Sequence, residues 1–377
     1  MKENLAVIFG GKSSEHDVSI VSALQAMQFV DTNFYNIIPV YIAKNGNWYS
    51  DKKLKNFENF ENLNLKGLKQ VTFVAGDNCL FSKFGSGFKR FKKIDCALIV
   101  LHGMNGEDGK VMSMLSMCNI PYSSADPTES GVCLDKSIFK TYANGLNINT
   151  VKGKTYFDYE FRNNPESVLD DICENFDFPV IVKPATQGSS IGITVAKNVQ
   201  ELEDGLILSF ELTEKTLVEE FLNNITEINV ALLKDDNEIV VSELEQPIKN
   251  SDILSFENKY VNSTKSLESV SRIIPAKVDE NVKSEIINTA KLLFKNLNLK
   301  GVVRFDFIIS ENKVYLNEVN TIPGSLAFYL FKPLNIKYNG LINLLIKNAY
   351  ENYNNLKNKN YIFNSSILKS GILGVKK

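Results

Sequence analysis

The sequence predicts an α/β protein that becomes α+β in its later part, and three observations carry that expectation. Residues 5–9 form an apolar run that stops at Gly10-Gly11 and gives way to a helical pattern over residues 18–30. A second apolar run, residues 37–42, follows at the spacing of a strand–helix–strand unit. From about residue 125 the pattern changes to helices and antiparallel-looking strands.

The elements follow in order. Ser14 reads as the N-cap of the first helix. Residues 51–93 are rich in Lys, Asn and Phe with weak periodicity and read as an insertion. A third strand, residues 96–101, runs into the glycine-rich loop His102 to Gly109. The first region is therefore expected to be an open parallel sheet with its ligand-facing loops at the strand C-termini. Asp126-Pro127 starts a helix, as a cap followed by proline at the first helical position. Residues 178–184 and 191–196 pair around a small-residue tip. Strands at 216–222 and 227–233 flank Asn223-Asn224. Residues 246–275 are polar, and loops of that length in an enzyme are commonly lids. An amphipathic helix (278–297), a hairpin (302–309 with 314–320) and a closing helix (338–353) complete the chain. No internal repeat is visible.

At 377 residues the chain exceeds one ordinary core, so two or three domains are expected. With 44% hydrophobic and 23% charged residues and a net charge of -2, it reads as a globular protein. That balance gives no reason to expect nucleic acid or an anionic membrane as partner. Five cysteines without a CxxC pair and two histidines argue against structural zinc and a disulfide framework. No apolar run reaches membrane-spanning length, and a cytoplasmic protein is expected.

Candidate chemistry concentrates in the last hairpin. If Glu311, Asn312 and Lys313 form a three-residue connection, Ser310 opposes Val314, Asp306 opposes Glu318 and Arg304 opposes Asn320. Two opposed carboxylates repel. A hard divalent cation removes that penalty, and Asp, Glu and Asn oxygens suit magnesium. A two-residue turn would instead set Asp306 against Asn317. The bland alternative is a solvent-facing charged strand, against which the apolar Phe305, Phe307, Val314 and Leu316 weigh.

Lys183 ends an apolar strand before the loop 185–190, a pattern suited to triphosphate but shared with ordinary hairpin tips. Lys136, after Leu134-Asp135, is a weaker candidate of the same kind. Gly11-Lys12-Ser13 is not a P-loop, because the glycine required five positions before Gly11 is Ala6. Glu15 at a strand-to-helix turn could hold an ammonium group, although the helix dipole favours a glutamate there in any case. His102 reads equally as a site residue or as a hydrogen-bonding loop residue.

Taken together these segments resemble the D-alanine–D-alanine ligase family of the ATP-grasp superfamily. The resemblance spans nearly the whole chain, through FGGKSSEHDVS, LHGMNGEDG, CLDK, FPVIVKPATQGSSIG, LVEEFL with Glu227 downstream, FENKY, GVVRFDF and LNEVNTIPGS. It implies three domains: 1–124, which binds the first substrate; 125–218, the central ATP-grasp domain; and 219–377, which carries the metal site and a lid at about 246–275. It implies that Lys136 and Lys183 contact ATP phosphates, that Glu219, Glu220, Phe221 and Leu222 line the adenine pocket, and that Glu227 binds the ribose. Asp306, Glu318 and Asn320 would hold two magnesium (or manganese) ions. Glu15, supported by Ser189 and Tyr260, would bind the amino group of a first D-alanine, with His102 near its carboxylate. Lys259 would close over the γ-phosphate, and Arg304 with the Gly324 N–H would stabilise the oxyanion.

The implied activity joins two D-alanines through an acyl phosphate for peptidoglycan precursor synthesis, by a homodimer if the family pattern holds. Departures gather at the acceptor side. Tyr329 stands where the family usually has a serine that holds the second carboxylate, and Ser325 offers a hydroxyl nearby. D-Serine, D-lactate or another amino acid as acceptor is therefore the close alternative, and a non-catalytic nucleotide or amino-acid sensor the distant one.

Overall fold

The computed structural model describes residues 2–236, 238–248 and 272–361. The N-terminal unit runs β1 (Glu3–Gly10), α1 (His16–Phe29), β2 (Tyr35–Ile42), β3 (Trp48–Ser50), β4 (Lys69–Val74), β5 (Asp77–Phe84), β6 (Gly87–Lys93), β7 (Cys96–Leu101) and α2 (Lys110–Met117). Its sheet has the order β6-β5-β4-β3-β2-β1-β7. Only β7, β1 and β2 are parallel; β2 to β6 pair antiparallel. The expected open parallel sheet is thus a mixed one, and the supposed insertion at 51–93 supplies three of its strands. Its polar pattern follows from position: every residue of β6, at the edge, is at least partly exposed, whereas β7 is buried throughout. α1 also departs from expectation. Its N-cap residue is Glu15 rather than Ser14, and no side chain caps it.

The second unit contains α3 (Pro127–Leu134), α4 (Lys136–Gly145), β8 (Gly153–Phe157), α5 (Asp158–Asn163), α6 (Pro165–Asn175), β9 (Val180–Pro184), β10 (Thr194–Ala196), α7 (Val199–Leu212) and β11 (Lys215–Glu220). Its four strands lie in the order β10-β9-β11-β8. The hairpin expected around residues 185–190 forms, with Val182 opposite Thr194. β11 continues through Glu220, so Glu219 and Glu220 lie in this sheet although the domain change was expected at 219.

The third unit is built from β12 (Thr226–Asp235), β13 (Glu238–Val241), β14 (Gln246–Pro247), β15 (Arg272–Ile273), α8 (Glu280–Asn296), β16 (Val303–Ser310), β17 (Lys313–Asn320), α9 (Phe328–Phe331) and α10 (Tyr338–Lys357). Its main sheet has the order β13-β12-β16-β17. One face packs on α8 through Ile286, Ala290, Leu293 and Phe294, all at 1% exposure or less. α8 earns that position by spacing its apolar residues at i, i+4 and i+7.

The β16–β17 hairpin reaches its register by an unexpected route. Ser310 opposes Lys313, so the connection is the two-residue turn Glu311-Asn312, both left-handed at φ 48° and 61°. Such a turn alone would misalign the acidic pair. A β-bulge between Asp306 and Phe307 restores it: Phe307 opposes Leu316, Asn317 is the extra residue, and Asp306 opposes Glu318. The expected Asp306–Glu318 and Arg304–Asn320 pairs hold, whereas the expected turn and the Ser310–Val314 pair do not.

Candidate active site

Across the third sheet, Glu318 of β17 stands opposite Asp306 of β16, Asp306 opposite Asn229 of β12, and Asn229 opposite Glu245 just before β14. Directly opposed residues share a face, so four polar side chains form one row across three strands and the segment leading into β14. Asp306 is 9% exposed. It accepts from Arg304 Nε and Nη2 at 2.7 Å each and from Asn320 Nδ2 at 3.1 Å. Among the described residues no three His, Cys, Asp or Glu side chains converge as a self-sufficient metal cage. Two carboxylates and an amide instead suit a magnesium site that substrate phosphates complete.

Two lysines bring the second unit to this row. Lys136, first residue of α4, donates to the Gln187 carbonyl at 2.6 Å and lies 3.5 Å from Glu318 Oε2. Lys183, at the end of β9, lies 2.5 Å from Glu219 Oε2 and 3.3 Å from Asn317 Oδ1. The bulged residue thus also receives a lysine. Glu219, 1% exposed, is paired on its other oxygen with Lys140, a residue the sequence did not single out. Burial alone would raise the Glu219 carboxyl, but Lys183 and Lys140 overturn it and hold the group below its ordinary value. Glu219 is therefore a charge partner between two ammonium groups. Glu220 lies 3.4 Å from Lys152 at the half-exposed end of β11, Phe221 and Leu222 lead out of it, and Glu227 enters β12.

Glu15 is 8% exposed and accepts a short hydrogen bond from Ser189 Oγ. Glycines make the approach possible. A Cβ on Gly188 would stand 2.5 Å from Glu15 Oε2, and one on Gly103 would stand 2.6 Å from Ser13 Oγ. Ser189 itself is left-handed, at φ 52°. Lys259 and Tyr260 lie outside the described residues.

His102 and Glu107 act on a different partner. His102 Nδ1 is 2.8 Å from the Ile322 carbonyl, which can only accept, so Nδ1 carries the proton. Nε2 then accepts from Ser22 Oγ at 3.1 Å, and Ser22 Oγ accepts from the Ser325 N–H at 3.0 Å. Glu107 accepts from the Gly103 N–H at 2.8 Å and from the Ile322 N–H at 3.2 Å. Both polar groups of the Ile322 backbone are thus gripped by the loop that follows β7. Burial lowers the His102 pKa and so favours the neutral ring, while the Glu15 carboxylate pulls the other way. Burial and Glu15 push Glu107 up to about 8.

Gly324 follows this grip and opens a strained turn. Ser325, Leu326 and Ala327 are all left-handed, at φ 51°, 54° and 49°, and all buried. Non-glycine residues in that region cost on the order of 1 kcal/mol each, and such strain collects at functional sites. Ser325 Oγ donates to Gln25 Oε1 at 2.8 Å. Tyr329 donates to Glu245 Oε2 at 3.1 Å, beneath the Arg272 guanidinium, which lies 4.2 Å from its ring centroid.

The structure thus gathers Glu15, Ser189, Lys136 and Lys183 with Asp306, Glu318 and Asn320, and sets His102 behind the Gly324 turn. Sequence reasoning missed Lys140, Ser22, Glu245 and Arg272. Each acts through contacts with residues distant in the chain, for which no local pattern exists.

The chain is similar in sequence and in fold to known proteins. The families described as D-ala D-ala ligase N-terminus and D-ala D-ala ligase C-terminus match residues 4–125 and 143–347. The D-alanine--D-alanine ligase of Thermosipho melanesiensis is 36% identical over 358 residues, covering 94% of this chain and 95% of that protein. The crystal structure of the D-Alanine-D-Alanine Ligase from Helicobacter pylori is 28% identical with a TM-score of 0.74, over 92% and 98% of the two chains. The VanG D-Ala:D-Ser ligase from Enterococcus faecalis is 29% identical with a TM-score of 0.77, over 93% and 100%. The chain belongs to the D-alanine–D-alanine ligase family, ATP-dependent carboxylate–amine ligases of the ATP-grasp fold.

Proposed function

We propose that this enzyme joins two D-alanines, with ATP, into D-alanyl-D-alanine, ADP and phosphate for peptidoglycan precursor synthesis in the cytoplasm. The observation that carries the proposal is the convergence of Glu15 with Ser189, Lys136 and Lys183, and the Asp306–Glu318 pair, one group from each unit. The two lysines hold ATP phosphates, Glu219 and residues 220–222 border the adenine, and Glu227 reaches the ribose. Glu15 holds the ammonium of the first D-alanine, and Ser189 fixes the Glu15 carboxylate. The first carboxylate attacks the γ-phosphorus, the bond to the β–γ bridging oxygen breaks, and an acyl phosphate and ADP result. The amine of the second D-alanine attacks its carbonyl carbon, and phosphate leaves. Arg304 and the Gly324 N–H steady the oxyanion, while excluding water preserves the acyl phosphate.

Asp306, Glu318 and Asn320 form an all-oxygen set that fits two divalent ions, magnesium or manganese. Such ions screen charge between the phosphates and the attacking carboxylate. Arg304 neutralises Asp306 through two hydrogen bonds. A homodimer follows the family pattern.

The half-buried Tyr329 at the acceptor side favours one second reading, a different acceptor such as D-serine. Measuring ADP release over D-amino and D-hydroxy acids, with products identified by mass spectrometry, decides between them. ADP release with D-alanine but no dipeptide would remove the main proposal.

A further inference from the structure

The polar row that starts at Glu318 ends at Glu245, and that end is built around an arginine the proposed reaction leaves unused. Glu245 is 3% exposed. Its Oε2 accepts from Tyr329 Oη at 3.1 Å and Asn229 Nδ2 at 3.2 Å, and its Oε1 lies 3.3 Å from Arg272 Nη1. The Arg272 side chain is 21% exposed, and its guanidinium lies over the Tyr329 ring. Glu245 is two strands from Asp306, about 10 Å at the usual strand spacing. Arg304 borders the corner from the Asp306 end of the row, where its Nε and Nη2 hold the Asp306 carboxylate at 2.7 Å each.

The acceptor's chemistry defines what this corner must supply. An α-amino acid whose amine attacks at Arg304 and Gly324 carries its carboxylate two bonds from that amine. The hook for that carboxylate must be a donor close to Arg304. Tyr329 has one hydrogen and gives it to Glu245, so towards a carboxylate it offers only lone pairs. The Asn229 amide also donates to Glu245. A guanidinium carries five donors in a rigid fork matched to carboxylate geometry.

We propose that Arg272, stacked on Tyr329 and oriented by Glu245, binds the carboxylate of the second substrate. Tyr329 is then a platform and a positioning residue, and its size is what the stack requires. Glu245 balances the guanidinium until the acceptor arrives, so the buried corner holds no uncompensated charge. The acceptor class is a D-α-amino acid with a free carboxylate. This inference rests on the proposed ligation reaction and names its acceptor contact.

Steady-state kinetics that resolve the donor and acceptor KM for D-alanine test it, with D-alaninamide as a competing acceptor. Arg272→Gln is expected to raise the acceptor KM about 30-fold, the loss of one charge-assisted contact, with the donor KM within about twofold. The same variant should lose its preference for D-alanine over D-alaninamide. Arg272→Lys keeps the charge without the fork, and an intermediate rise of about fivefold is expected. Tyr329→Ala, which removes the platform, should resemble Arg272→Gln. An unchanged acceptor KM in Arg272→Gln with D-alaninamide still rejected would overturn the assignment. Donor and acceptor KM rising together would also overturn it, because that marks a structural pin. Wild-type enzyme that releases ADP but forms no dipeptide removes the reaction itself, a separate failure.

Discussion

Asp306 faces Glu318 because Asn317, the extra residue of a bulge, has no opposite number on β16. A carboxylate pair set face to face lowers sheet stability by mutual repulsion. Asp306→Asn should therefore abolish turnover, by about a thousandfold or more, if the pair serves divalent ions. The melting temperature should fall as well, because the variant leaves the Arg304 guanidinium without its bidentate carboxylate partner. A large drop in melting temperature with activity retained would reverse the assignment and make the pair structural.

The grip on Ile322 yields a second expectation. An asparagine amide nitrogen can occupy the position of His102 Nδ1 and donate to the Ile322 carbonyl. His102→Ala should lower kcat about tenfold to a hundredfold through misplacement of the Gly324 N–H. His102→Asn should recover most of that loss. Equal loss in both variants, with KM for the first D-alanine raised, would place His102 on the substrate instead.

Glu107 gives the structure a pH signature. Its carboxyl is pushed up to about 8 in the folded protein, whereas the unfolded chain ionises it near 4.5. Between those values the unfolded state binds fewer protons, so this group's contribution falls as pH rises from about 5 to about 8. Urea midpoints for wild type and Glu107→Gln across that window should differ in slope, with the variant flatter. Parallel pH profiles would contradict the assignment.

Glu219 lies between Lys140 and Lys183, and all three are buried. Glu219→Gln strands two ammonium groups and should cost about 3 kcal/mol or more of unfolding free energy. Lys183→Met leaves the Lys140–Glu219 pair intact. That variant should stay folded by circular dichroism and show a raised KM for ATP, the outcome expected of a phosphate contact. A loss of stability without change in that KM would refute the phosphate role.

Much of this fold was legible because the periodic signals were strong. The β1 run, the α8 stripe and the Asp126-Pro127 start all read correctly from local pattern. Residues 51–93 did not, because an edge meander exposes most of its side chains and loses the alternation that marks a half-buried strand. The acidic pair was identified through the wrong turn, since a bulge leaves no local trace and Asn317 reads like any strand asparagine. His102 was placed by resemblance beside a substrate carboxylate, whereas both its ring nitrogens engage Ile322 and Ser22. The Glu245–Arg272–Tyr329 corner was illegible because its members come together only when β12, β14, β15 and α9 have assembled.

The Ile322 backbone is the one stretch of the catalytic turn that the loop after β7 grips at both its polar groups. In the proposed reaction, the Gly324 N–H therefore keeps its place only while the N-terminal unit is seated. Under that proposal, an enzyme whose first unit has drifted would lose the oxyanion donor and its purchase on the first amino acid together. Such a molecule falls silent, rather than spending ATP on an acyl phosphate that water would destroy.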